Sequence, residues 1–168
     1  TIVDAGELDL NSANENNGTI CGNLTINSGA KVKAMTFWEG ASRNFGTARG
    51  FPGFPLGQNC VTNVVINNGT LEAYTGGSTL FSAGKVTMTG GTISGDQLNW
   101  SGGFGGPNLV TLASSTQCVI SARIYADAGH EVDAASLPFT VAQGTAPSGV
   151  DLLVSGELSG SVHLIKSG

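Results

Sequence analysis

Two hexapeptides, Ile66-Asn67-Asn68-Gly69-Thr70-Leu71 and Met88-Thr89-Gly90-Gly91-Thr92-Ile93, carry one phrase: apolar, polar, a turn pair ending in Gly, any residue, apolar. Gly69 and Gly91 stand 22 positions apart. That interval falls within the roughly 20 to 30 residues of a solenoid coil. Looser versions occur as Ile26-Asn27-Ser28-Gly29-Ala30-Lys31-Val32 and Val154-Ser155-Gly156-Glu157-Leu158, and Asn-Asn-Gly-Thr also occurs at Asn16 to Thr19. The phrase suits the corner of a stacked coil. Gly and Asn enter positive φ cheaply and let the chain turn sharply between flat strands. The flanking apolar residues point inward and stack on their equivalents in the next coil, because one coil cannot bury its own apolar face.

The rest of the chain agrees. Short β-rich runs recur at Leu24 to Ile26, Val64 to Ile66, Lys85 to Met88, Leu109 to Leu112, Cys118 to Ile120, Val150 to Val154 and Val162 to Ile165. Gly and Asn punctuate them, as expected for a sandwich, barrel or solenoid. The one helical candidate, Asp127 to Ser136, carries Gly129 at its middle and shows no 3.6-residue stripe. The spacing favours an all-β solenoid over 1–168, with a β-sandwich as the alternative.

Only 11% of the 168 residues are charged, and the net charge is -5 with no Lys/Arg cluster. A nucleic-acid footprint needs concentrated positive charge, so that class is set aside. Hydrophobic residues reach 40%, which argues against disorder. No apolar run is long enough to span a membrane. The Asn, Thr and Gly richness with few lysines points to an extracellular protein, and Thr1 reads as a processed or excised start. Three cysteines are present, Cys21, Cys60 and Cys118. The odd count allows one disulfide with one thiol left over, or none at all. Each cysteine also suits a small buried apolar position, and none has zinc-finger spacing.

The Gly90 to Gly95 run, together with Ser155 to Gly160 and Leu164-Ile165-Lys166-Ser167-Gly168, resembles the autotransporter-associated β-strand repeats of large bacterial surface proteins. The resemblance covers mainly residues 60 to 100 and 150 to 168. It implies a right-handed parallel β-helix, display at the bacterial cell surface and a role in adhesion or matrix. It supplies no catalytic residues, cofactor or metal.

Two stretches break the rhythm and read as loops extruded from the coil, at 36–59 and 99–108. The first concentrates Phe37, Trp38, Phe45, Phe51 and Phe54, with Arg43 and Arg49 among them; the second carries Trp100 and Phe104. Exposed aromatic faces and arginines anchor glycans or protein partners, which makes these nine residues the candidate binding set. The competing reading folds the rings back to cap an open end or cover a groove.

Catalytic constellations are sparse. Asp127, His130, Glu131 and Asp133 form the one acidic cluster with a histidine, but they match no cation-loop template, and a solvated turn is the plainer reading. His163 alternates with Val162 and Leu164 and is expected to face outward. A polysaccharide-active β-helix enzyme needs carboxylates converging on one face. Glu72 and Asp96 are the candidates, brought together only if the coils stack in register. Four Asn-x-Ser/Thr sites start at Asn17, Asn23, Asn68 and Asn99, a number the composition explains by chance. The threonines Thr87, Thr89 and Thr92, and Thr19 with Thr25, are too few for a flat ice-binding array. The sequence therefore points to a non-catalytic adhesive scaffold that binds glycan or protein. Self-association through the solenoid edges into filaments and a polysaccharide-active enzyme are the alternatives.

Overall fold

Asn68 has φ of 55°, Gly90 68° and Gly91 86°. The turn residues of both hexapeptides thus bend the chain through the left-handed region, which Asn and Gly occupy with least strain. Gly91 is held there by packing as well. A Cβ on it would stand 2.7 Å from the Ile66 Cγ2 and 2.5 Å from the Gly69 carbonyl oxygen of the coil below. The repeated glycine thus lets one corner sit directly on the next.

The structure is a computed structural model describing residues 1–11, 20–35, 44–45, 61–81, 83–100, 108–126, 136–160 and 163–168. Among them every regular element is a strand, and no helix is long and apolar enough to cross a membrane. The first coil holds β1 (Ile2–Val3) and β2 (Gly6–Leu10), and the second β3 (Gly22–Ile26) and β4 (Ala30–Ala34). The third holds β5 (Val61–Asn67), β6 (Thr70–Glu72) and β7 (Ser78–Phe81), and the fourth β8 (Lys85–Thr89), β9 (Gly91–Ser94) and β10 (Gln97–Trp100). The fifth holds β11 (Asn108–Thr111), β12 (Cys118–Ile120) and β13 (Arg123–Ala126), and the sixth β14 (Ser136–Val141), β15 (Leu152–Val154) and β16 (Leu158–Gly160). β17 (His163–Ser167) begins a seventh.

Strands one coil apart pair in parallel and build three sheets. They run β1-β3-β5-β8-β11-β14-β17, β2-β4-β6-β9-β12-β15 and β7-β10-β13-β16. This is a parallel β-helix. A sandwich would pair sequence neighbours antiparallel, and no such pairing occurs among the described residues.

Stacking makes the core a set of columns. One runs Leu24, Val64, Val86, Leu109, Phe139 along the seven-stranded sheet. Another runs Leu8, Val32, Leu71, Ile93, Ile120, Val154 along the six-stranded sheet. Strands alternate inward and outward because the side-chain period is 2, as in the buried–half-buried alternation of β4. Outside the core, polar ladders follow the same columns. Asn67 Nδ2 donates to Asn27 Oδ1 at 2.9 Å, and Asn27 Nδ2 donates to Asp4 Oδ1 at 2.7 Å.

One column is flawed. Val3, Ile26, Ile66, Met88, Thr111 and Val141 share a register position. Thr111 is buried there, and its hydroxyl makes no hydrogen bond among the described residues. A buried hydroxyl without a partner costs about 1 kcal/mol or more. Thr111→Val keeps the shape and removes the polar atom. It is expected to raise the urea midpoint by the equivalent of about 1 kcal/mol with the slope unchanged. A lower midpoint would show that the hydroxyl does have a partner.

Asn99, Trp100 and Asn108, expected in the second loop, are strand residues, the first two completing β10 and Asn108 beginning β11. Leu98 and Trp100 continue the inward alternation, so the strand runs on through the aromatic residue instead of releasing it. Residues 101–107, and most of the 36–59 stretch, lie outside the described residues.

Candidate functional site

The six-stranded sheet meets the four-stranded sheet at a corner built from small residues. Ala73, Gly95, Ala122 and Gly156 follow in-register positions on successive coils. A Cβ on Gly95 would collide with the Ala73 carbonyl, and one on Gly156 with the Ala122 carbonyl. The coils are therefore in backbone contact here. Beside this seam runs an open groove of about 720 Å³ with a glycine-rich floor that includes Gly76 and Gly77.

Polar side chains from four coils line it. Gln97 pairs with Ser78 on one side and Arg123 on the other, and Glu157 precedes Leu158, the partner of Ile124. The row is tied together. Arg123 Nη1 donates to Gln97 Oε1 at 3.2 Å, Arg123 Nε lies 3.0 Å from Glu157 Oε2, and Gln97 Nε2 donates to Asn99 Oδ1 at 2.5 Å. Asp96 Oδ2 accepts the Gly76 N–H at 2.5 Å. The Arg123–Glu157 pair is solvent-exposed, so it adds little stability; what it fixes is orientation. Two residues beyond Arg123, and on the same face by alternation, Tyr125 is 36% exposed and stands in register with Asn99 and Ser159.

The expected aromatic set divides. Phe45 is 0% exposed and Trp100 1%. Their rings lie edge-on to Phe81, with centroids at 5.7 and 5.5 Å. Trp100 Nε1 donates to the Ala83 carbonyl at 2.6 Å. These two are core residues, and neither presents a face to a ligand. Burial of a large ring with its one polar atom satisfied outweighs its display in water. Phe37, Trp38, Arg43, Arg49, Phe51, Phe54 and Phe104 lie outside the described residues, as do Cys60, Asp127, His130, Glu131 and Asp133.

Glu72 and Asp96 do not meet. Asp96 lines the groove, whereas Glu72 sits out on the six-stranded sheet, 3.4 Å from both Lys31 and Lys33, with Lys31 2.7 Å from Glu7. The hydrogen bond from Lys31 holds the Glu7 carboxyl below its ordinary pKa and raises that of Lys31. Burial pushes the Cys118 thiol up. Among the described residues no group of three or more His, Cys, Asp or Glu could hold a metal ion.

Sequence reasoning passed over Gln97, Arg123, Tyr125 and Glu157. A signal was present: Gln97-Leu98-Asn99 and Arg123-Ile124-Tyr125 share a polar–apolar–polar pattern 26 positions apart. No family model matches the chain, and neither a curated protein nor a solved structure matches it.

Proposed function

We propose that the chain is a non-catalytic extracellular scaffold of the bacterial-surface type that holds carbohydrate in the groove beside Gly95. The observation that carries this reading is the row Ser78, Gln97, Arg123, Glu157, set one coil apart, in which Arg123 ties Gln97 to Glu157. Carboxamide, guanidinium and carboxylate groups in fixed array suit a hydroxyl-rich ligand, whose donors and acceptors must all be paired. A shallow polar groove does not suit an apolar one. Tyr125, two residues beyond Arg123 on the same face of β13, adds an exposed amphipathic ring. Asp96 and Glu157 outnumber Arg123, so neutral sugars are favoured over uronates. The parallel sheet beneath keeps the row in place, which limits the ordering entropy of binding.

Titration calorimetry against neutral and acidic oligosaccharides tests it. A neutral oligosaccharide is expected to bind, and Arg123→Ala to weaken it by about tenfold or more, since hydrogen bonds to charged groups contribute about 1.5–3 kcal/mol. No binding by the parent chain, or full affinity in the variant, removes the reading. A second reading is self-assembly by strand addition between copies of the chain. Unpaired edges invite strand addition. Size-exclusion chromatography over rising concentration separates the two, because fibres favour assembly and a persistent monomer favours display.

A further inference from the structure

The groove beside Gly95 is long in one direction. On the third coil it is lined at 76–78, on the fourth at 95–97, on the fifth by Ser121 and Arg123, and on the sixth by Gly156 and Glu157. Two residue steps across give a width of about 7 Å, whereas three coil steps give a length of about 14 Å. The long direction is therefore the solenoid axis. The floor leaves that direction open, because Gly76, Gly77, Gly95 and Gly156 carry no side chains and Ser121 adds a small one. Along it stand Ser78, Gln97, Arg123 and Glu157, one residue per coil.

A ligand that repeats its hydroxyls at the coil spacing meets a polar side chain at every step. That spacing is about 4.8 Å, close to the advance per sugar of an extended β-1,4-linked pyranose chain. An α-1,4-linked chain coils, advances less per sugar and cannot keep its hydroxyls on a straight row. We propose that the ligand is an extended, neutral β-1,4-linked polysaccharide lying parallel to the solenoid axis, with one sugar on each of the third to sixth coils; this rests on the reading of the groove as a carbohydrate site. Ser78 serves the sugar at one end and Glu157 the sugar at the other. Gln97 and Arg123 serve the two between. Among the described residues the Arg123 guanidinium meets Gln97 through Nη1 and Glu157 through Nε, which leaves Nη2 to donate to sugar hydroxyls. Because four coils share the contacts, the groove selects an internal stretch of a chain over a single sugar.

The test is titration calorimetry of the full chain with cello-, manno- and chito-oligosaccharides of one to six sugars, beside malto-oligosaccharides of the same lengths. In at least one β-linked series, affinity is expected to rise about fivefold per sugar up to four, near one net hydrogen bond for each coil reached, and then to level off. The malto series should show no such rise. Ser78→Ala and Glu157→Ala alter opposite ends of the row, and each is expected to weaken the best tetrasaccharide by about fivefold. A ligand lying across the strands would touch only one of these two ends. Affinity that levels off at one or two sugars, a malto series that climbs as steeply, or tetrasaccharide binding untouched by either end variant would overturn the axial placement while leaving carbohydrate in the groove. Absence of all saccharide binding, acidic oligosaccharides included, is the separate result that removes the carbohydrate reading itself. The length series is measured on the parent chain and does not depend on any variant folding.

Discussion

Gly95→Ala is expected to destabilise the protein by about 3 kcal/mol or more and to lower Tm by roughly 6–12 °C. Two effects combine. Gly95 has φ of 96°, where a side chain adds about 1–2 kcal/mol of strain. The new Cβ would also strike the Ala73 carbonyl, carbon and nitrogen. These are backbone atoms of the coil below, so no flexible side chain can move aside, and the coils must part along the corner. Gly29 supplies the comparison. It has φ of 78°, but a Cβ there meets nothing within 4 Å. Gly29→Ala should therefore show the strain alone, about 1–2 kcal/mol. Urea unfolding of the two variants separates strain from stacking. Equal losses would mean that the coils are not in contact at this seam, and the groove beside it would lose its rigid floor.

Trp100→Ala is expected to cost about 3–5 kcal/mol, the range for removing a large buried ring. The ring is almost wholly enclosed, lies edge-on to Phe81, and satisfies the Ala83 carbonyl through Nε1. Truncation opens a cavity and leaves that carbonyl unpaired. Trp100→Phe keeps most of the buried area and loses the hydrogen bond, so a smaller loss of about 1–2 kcal/mol is expected. Chemical unfolding of both variants checks the order. If Trp100→Ala left stability intact and abolished glycan binding instead, the ring would belong to a ligand surface. Because β10 also carries Gln97 and Asn99, oligosaccharide affinity in Trp100→Phe should stay close to that of the parent chain.

Both results bear on the reading of the aromatic residues. Nothing local in the sequence distinguishes a Trp that docks a ligand from one that fills a core, since the same ring does either. Trp100 was grouped with Phe104 because Gly-Gly-Phe-Gly-Gly follows it closely. The alternation Leu98–Trp100 within β10 was the better guide. Phe45 offered less: Ser42, Asn44 and Gly46 around it give no strand pattern. Its burial depends on Phe81, a residue 36 positions away.

The amino-acid sequence alone determined the class of fold. Gly and Asn at the corners, aliphatic residues on either side and a 22-residue recurrence suffice for stacked coils, because positive φ and inward alternation are local properties. It also determined which residues of a strand share a face. Only the tertiary structure decided which strands became neighbours. Coil length varies, with Val64 to Val86 spanning 22 positions, Leu98 to Ile124 26 and Ile124 to Leu158 34. No single period can therefore align Gln97, Arg123 and Glu157, or separate Glu72 from Asp96. Register is set by the summed packing of whole columns, and in a parallel ladder a slip of one residue sends every side chain of the strand to the opposite face.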